Sequence, residues 1–410
     1  MAVLPREFFC NVDFDIRLGM GESGKTQNLS NAITEYVHEI APHFLFAGDP
    51  SDTVIVHHEI PHAFFNYLGN QDLDCSRVRI YPDISPHSIL VPFGWDAHAE
   101  TIREKYQPGT QPLHPEFDGV KQANSKVFSS RLAMEIDDVY SEIRIIKDKD
   151  FLIEFLTSCS DEELLLKTEF GHSGMGHKRI MPGNPLPLSW VTSVFEEGCQ
   201  AVIVEPWMKR KFDIGICFNV SKKGSIRNIR FHELINTAEG SFAGILVENN
   251  HARIKPWDSN LNETVQRVGE ELNAIGYFGP VNIDAFVWED SSGHSCLRSL
   301  VEINARMTMA DPVYGLWNKL DRRGTLLWRF YSSRKLQLPD NYEELVQQLD
   351  EVKSRIGGEI YLVSPLELLS ENGPFTPKKV SVAFFADSSK IVNTLHNAFN
   401  RRFIKRSSRK

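Results

Sequence analysis

What this chain lacks narrows its class first. Its six cysteines, Cys10, Cys75, Cys159, Cys199, Cys217 and Cys296, show no C-x-x-C spacing. The thiols read as buried or incidental groups of a reducing compartment, where disulfides are rare. No stretch approaches the roughly 18 apolar residues of a membrane span. The N-terminus, MAVLPREFF, carries charge where a signal peptide has its apolar core, so a cytoplasmic protein without a membrane partner is expected. Basic charge is in deficit as well: 45 lysines and arginines stand against 54 aspartates and glutamates, a formal net charge of -9. A general nucleic-acid binder usually shows a strongly basic domain, so nucleic acid is not an expected partner. No Gly-x-Ser-x-Gly elbow, internal repeat or low-complexity run is present.

What is present is ordinary for a globular protein, with an apolar fraction of 41% and a charged fraction of 24%. At 410 residues the chain is too long for one core and predicts two or more domains. Up to Gln107, strand-like runs at Phe8 to Phe14, Thr53 to His57, Val78 to Tyr81 and Ile89 to Val91 alternate with helix-like ones, as a small α/β domain requires. The stretch Gln107 to Pro115, with its prolines and glycine, reads as a linker. Beyond Asp311 a helical region follows, then a helix over Tyr342 to Ile356 with Leu345, Leu349 and Val352 on one face. Strands at Glu359 to Val363 and Lys379 to Phe385 and a helix at Ser389 to Phe399 complete the chain. The basic end, Arg401, Arg402, Lys405, Arg406, Arg409 and Lys410, reads as a solvated terminal charge run.

The chemistry concentrates between Val281 and Arg306. Alternation along a strand points Ile283, Ala285 and Val287 one way and Asn282, Asp284 and Phe286 the other; Glu302 and Asn304 likewise oppose Val301 and Ile303. The polar run Glu289 to His294 predicts a hairpin loop, which returns Asp284 to the face of Glu302 and Asn304. Hard oxygen ligands of this kind suit magnesium, which is held by one or two carboxylates together with phosphate oxygens and water.

Glu302-Ile303-Asn304-Ala305-Arg306 resembles the E-x-N-x-R signature of ATP-grasp enzymes, and three further segments match that family in the same order. Lys126 resembles its first nucleotide-binding lysine, ahead of a helical stretch at Ser130 to Ile136. Lys167 then ends a strand and leads into Gly171-His172-Ser173-Gly174-Met175-Gly176, where glycines free the backbone N–H groups to approach phosphates. Ala201 to Met208 resembles the adenine hinge. The resemblance implies that Glu205 takes the exocyclic amine, the Met208 backbone faces the ring, and Asp213 holds the ribose; Trp207 reads as core. It covers about Asn124 to Asp311 well and the rest poorly: the segment up to about Gln107 loosely resembles the pre-ATP-grasp domain, and Glu359 to Phe403 has no family match.

By this resemblance the fold class is α/β: an α+β ATP-grasp core of two subdomains preceded by a small pre-ATP-grasp α/β domain. The expected division is 1–107, 116–200 with the phosphate lid, 201–330 with the metal and nucleotide site, and a C-terminal extension at 331–410. The implied cofactors are ATP and Mg2+, with Asp284, Glu302 and Asn304 as metal ligands and Arg306 and Lys167 as catalytic residues. The implied reaction joins a small carboxylate to an amino-acid-like amine through an acyl phosphate, with a homodimer as one possible assembly. This family often has an arginine two residues before the first metal carboxylate. Asn282 stands there instead, so the amino-acid pocket of the dipeptide-ligase branch does not transfer. Arg227, Arg230, His232 and Glu233 are candidates for the acceptor cleft.

Two alternatives compete. Gly19-Met20-Gly21-Glu22-Ser23-Gly24-Lys25-Thr26 fits the Walker A pattern, with a helix-like stretch at Asn28 to Ile40 after it, yet the charged residues before it are not a buried strand. A P-loop enzyme using Lys25 and Thr26 is therefore one alternative, and an ATP-binding regulatory module without turnover is the other. His57, His58 and His62 are too close in a strand-like run to share a face and read as surface or loop residues.

Overall fold

The computed structural model describes residues 4–20, 31–108, 113–136, 142–159, 161–171, 176–237, 240–320 and 324–405. Short apolar, β-branched runs build the first sheet, from β1 (Arg6–Phe9), β2 (Thr53–Val56), β3 (Arg77–Ile80) and β4 (Ile89–Pro92), all parallel in the order β3-β2-β1-β4. Helices connect β1 to β2 and β2 to β3, as parallel pairing commonly demands, while a turn-rich loop without a helix leads from β3 to β4. The run Phe8 to Phe14 is not one strand: β1 stops at Phe9, and Phe14–Met20 is a helix. The sharp turn between them, closed by Phe14 N to Asn11 O at 3.0 Å, aims Asp15 toward the centre of the molecule.

The second sheet, order β5-β8-β6-β7, contains β5 (Arg144–Ile146), β6 (Leu164–Thr168), β7 (His177–Ile180) and β8 (Val202–Pro206). With the helices Lys149–Ser158 and Leu188–Glu196 it closes its own hydrophobic cluster around Leu152, Leu166, Val191 and Val204. The large sheet has eight strands, in the order β13-β12-β9-β10-β11-β14-β18-β15. Its strands are β9 (Arg210–Val220), β10 (Ile226–Asn236), β11 (Phe242–Glu248), β12 (Gly279–Glu289), β13 (Ser295–Asn304), β14 (Thr325–Ser332), β15 (Glu359–Leu362) and β18 (Lys379–Ala386), while β16 (Leu368–Ser370) and β17 (Gly373–Phe375) form a separate pair. One face of this sheet, with Ile216, Val281, Ile283 and Ile303, is buried, and the helix Asp258–Ala274 supplies Leu261, Val265 and Leu272 to the same core.

The C-terminal residues share this sheet: β18 pairs with β14 along eight register positions, and the expected boundary at 330 falls inside β14. The backbone pairing that continues the sheet could not be seen in the separate strand signals of the sequence. Residues 109–112 of the expected linker lie outside the described residues, as do 21–30 of the Walker-like motif and the helix start beyond it, 172–175 of the lid and 406–410 of the basic end. No helix among the described residues is long and apolar enough to cross a membrane. The six cysteines are free.

Candidate functional site

The open face of the large sheet is written in its register. Adjacent strands place His232 opposite Gly215, Gly215 opposite Asp284, and Asp284 opposite Glu302. A parallel row runs Arg230, Cys217, Asn282, Asn304. Directly opposed residues point to the same face, so the expected meeting of Asp284, Glu302 and Asn304 is what the pairing produces. The hairpin turn at Asp290 to Gly293 falls where the polar run predicted it, with Gly293 at φ 84°. Above this face lies a cleft of about 920 Å³ that also receives Lys167, Gly171, His177, Arg179 and Trp207 from the lid side, and Asp15, Tyr36 and Phe93 from the first domain. Its size suits a small ligand.

Asp284 accepts from Asn282 Nδ2 at 2.9 Å and lies 3.5 Å from Asn304 Nδ2. Burial, followed by the Glu302 carboxylate beside it, pushes the Asp284 carboxyl up to about 7. Burial acts on Glu302 in the same direction, but the ammonium of Lys126, 3.0 Å away, outweighs it and holds Glu302 below its usual range. Two carboxylates in one row and an amide oxygen in the next, on the same face of the sheet, are hard donors. The donor set fits a divalent cation such as magnesium. No group of three or more His, Cys, Asp and Glu side chains arranged for a metal exists among the described residues; a magnesium site of two carboxylates completed by phosphate oxygens does not need one.

Lys126 opens the helix Lys126–Ile136, four residues earlier than the pattern indicated. Ser125 is the reason: its Oγ accepts from the N–H groups of Val127 and Phe128 and donates to Glu169 at 2.6 Å, capping the helix. Lys126 Nζ is thereby held 2.7 Å from the Gly171 carbonyl, at the entrance of the glycine loop. That loop leaves β6 and returns in β7, with Lys167 opposite His177, as the strand, loop, strand reading required.

Glu205 departs from its expected position. Its carboxylate is buried beneath the cleft, where one oxygen takes the Lys167 ammonium and the other the Arg298 guanidinium. Burial alone would raise its pKa, but Arg298 and Lys167 prevail and hold it at about 2. Both oxygens are thus committed to cations. Arg298 gave no signal in the sequence, because its partner is 93 residues away. Trp207 is also corrected: it is half-buried and lines the cleft, with Arg179 over its ring at 3.9 Å, so it is not core. Met208 and Asp213 line the cleft, and Asp213 accepts from Arg210 at 2.8 Å and Asn236 at 3.0 Å.

Arg306 is gripped from several sides. Asp15 takes its Nε at 3.1 Å and Nη2 at 2.7 Å, Asn304 Oδ1 takes Nη2 at 2.8 Å, and the Met307 carbonyl takes Nη1 at 3.1 Å. Phe93 stacks 4.8 Å from its centre. Asp15 was missed by sequence reasoning, since nothing local links it to a residue 291 positions on. Of the acceptor candidates, His232 and Glu233 line the cleft, whereas Arg230 stacks over Tyr314 at 4.2 Å and Arg227 is exposed. His57 and His58 pack against His38 in the first domain, half-buried.

An antiparallel sheet bearing a carboxylate pair, facing a smaller subdomain with its own core and a glycine loop, defines the ATP-grasp fold. Solved structures agree on this fold over nearly the whole chain. An ADP complex of N5-carboxyaminoimidazole ribonucleotide synthetase matches 97% of this chain and 97% of its own at a TM-score of 0.50 and 12% identity. The biotin carboxylase domain of 2-oxoglutarate carboxylase from Hydrogenobacter thermophilus matches 99% and 91% at 0.52 and 10%. The N5-carboxyaminoimidazole synthetase of Staphylococcus aureus matches 98% of each chain at 0.51 and 10%. At such identities the likeness establishes the fold and carries no activity across. No family model and no curated protein matches the sequence.

Proposed function

We propose that this chain is an ATP-dependent, ADP-forming ligase that activates a small carboxylate as an acyl phosphate and joins it to an amine. The observation that carries this reading is the half-buried Asp284–Glu302 pair in direct register, with Lys126 and Arg306 bordering it. The fold's neighbours support a nucleotide ligand: the Hydrogenobacter structure holds MgADP and bicarbonate, and the synthetase quoted first holds ADP. Asp284, Glu302 and Asn304 would hold Mg2+, which when bound neutralises phosphate charge and orients the transferring group.

The chain's own residues divide the remaining work. Lys167 and Lys126 bind phosphate oxygens, Trp207 and Met208 border the base, and Asp213 faces the ribose. A carboxylate oxygen attacks the γ-phosphorus, the bond to ADP breaks, and an amine then displaces inorganic phosphate from the acyl carbon, losing its proton. Arg306, held rigid by Asp15, stabilises the transferred phosphoryl group and the tetrahedral oxyanion; a fixed guanidinium acts strongly where water is excluded. Closure of the Gly171 to Gly176 loop protects the acyl phosphate from hydrolysis.

The P-loop alternative is disfavoured by the helix Phe14–Met20, which stands where a P-loop needs a strand. A module without turnover is disfavoured because Lys126, Lys167, Asp284, Glu302, Asn304 and Arg306 are all present. The test is magnesium-dependent ADP and phosphate release with amino acids, small carboxylates and bicarbonate, comparing wild type, Glu302→Gln and Lys25→Ala. Turnover that needs a substrate from the pool and is abolished by Glu302→Gln alone supports the ligase; loss in Lys25→Ala alone would establish the Walker motif and overturn it.

A further inference from the structure

Beyond Asp213 the open face of the large sheet changes character. On β10, Leu234 stands opposite Asp213 on one side and Ile245 of β11 on the other, and Asn236, which donates to Asp213, stands opposite Phe242. Opposed residues share a face, so Leu234, Ile245 and Phe242 look into the cleft that they line. The facing wall comes from the first domain. His43 stacks on Phe330 at a centroid distance of 5.2 Å, and Phe330 lies 5.5 Å from Phe242. His43 Nδ1 is also 3.1 Å from the Ile40 carbonyl, so the end of the helix Asn31–Ile40 is held against β14, and Tyr36 and Ile40 of that helix line the cleft.

Ile40 and Ile245 are buried and act as floor. Tyr36, Leu234 and Phe242 are only half-buried and keep accessible surface where they line the cavity. The charge of the cleft is concentrated elsewhere or cancelled. Lys209, Arg210 and Lys211 lie on the hinge side of Asp213, whereas Glu233, at the apolar end, is paired with Arg253 at 2.6 Å. The position of this end within the sheet indicates what can reach it. Neighbouring strands are about 4.8 Å apart, so β10, two places from β12, is roughly 10 Å from the strand of Asp284. The acyl carbon forms at the metal row, and the attacking nitrogen comes within roughly 3 to 3.5 Å of it. The amine therefore begins that much nearer to Leu234 and Phe242, and its side chain spans the rest.

We propose that this apolar end receives the side chain of the amine, and that the second substrate is an amino acid or amino-acid-like amine with a large aliphatic or aromatic side chain. This inference rests on the ligase reading and deepens it. Transfer of such a side chain from water to these walls is favourable. A lysine or glutamate side chain placed there would lose its hydration against apolar groups and a charge pair that is already neutralised.

The test assays the full chain with MgATP, small carboxylates and bicarbonate for ADP and amide product, with leucine, phenylalanine, alanine, lysine or glutamate as the amine. Values of kcat/KM for leucine and phenylalanine are expected to exceed that for alanine by at least about tenfold, the scale of buried methylenes in an apolar pocket, and those for lysine and glutamate by more. Leu234→Glu places a negative charge in the wall and is expected to reverse the ranking of phenylalanine and lysine. Such a reversal cannot come from loss of folded protein, since both amines meet the same enzyme. Tyr36→Ser, on the facing wall, is expected to lower the ratio of phenylalanine to alanine roughly fivefold or more. Equal kcat/KM for apolar and charged amines in wild type, or a ranking untouched by both substitutions, would overturn the inference and leave the ligase reading in place. Absence of carboxylate-dependent ADP release in wild type with every amine would instead remove the ligase reading, and this inference with it.

Discussion

Arg306 and Lys167 illustrate how much a single side chain here owes to its supports. The guanidinium is held side-on by Asp15 and end-on by Asn304, a planar arrangement a lysine cannot reproduce. Arg306→Lys should therefore lower kcat by two to three orders of magnitude, about 3 to 4 kcal/mol of barrier as for other lost oxyanion donors, with KM for ATP little altered; single-turnover ADP formation is the measurement. Beneath the cleft, Arg298→Met would leave Glu205 with Lys167 alone in a buried setting. Losing one partner of a buried ion network costs about 3 to 5 kcal/mol, so the urea midpoint should fall sharply. Glu205→Gln should fall further, because two buried cations would then face each other. An unchanged midpoint in both would mean that the network contributes nothing.

At the scale of elements, the lid subdomain has a core of its own, separate from the main cluster. A body with its own core can rotate on short connections without exposing apolar surface, which is what a closing lid requires. Gly176 ends the glycine loop at φ 80°, and a Cβ there would run into the Thr168 hydroxyl. Both the left-handed backbone, worth roughly 1 to 2 kcal/mol for a residue with a Cβ, and the clash oppose Gly176→Ala. The expected result is a folded protein with kcat reduced at least tenfold and more ADP released per product formed. A coupling ratio identical to wild type would show that this end of the loop does not govern closure.

The whole molecule carries a pH signature. His43 is buried, holds the Ile40 carbonyl at 3.1 Å, and has its pKa lowered to about 3, chiefly by burial; His232 is lowered to about 3 in the same way. The unfolded chain protonates these rings near pH 6.5 while the folded chain resists to about 3. Their contribution is complete above pH 6.5 and is lost as pH falls toward 3, at up to about 1.4 kcal/mol per pH unit for each ring. Melting temperature should accordingly decline steadily from pH 6.5 to 5. A flat profile over that range would contradict the burial of these rings.

The sequence by itself determined the local geometry of the site. Alternation on β12 up to Asp284 and on β13 from Glu302, with a polar hairpin between the strands, was enough to place Asp284, Glu302 and Asn304 together, because side-chain direction in a strand has a period of two; the register shift between Asp284 and Phe286 was not legible. The glycine loop between β6 and β7, the alternating first domain and the late helices were legible for similar reasons of short-range pattern. Only the tertiary structure decided what lies across sequence distance. Asp15 meets Arg306, and Arg298 takes the second oxygen of Glu205, since a buried charge is satisfied by whichever group the fold brings near it. The same holds for β18 and β15, which extend the large sheet through backbone hydrogen bonds that carry no residue code.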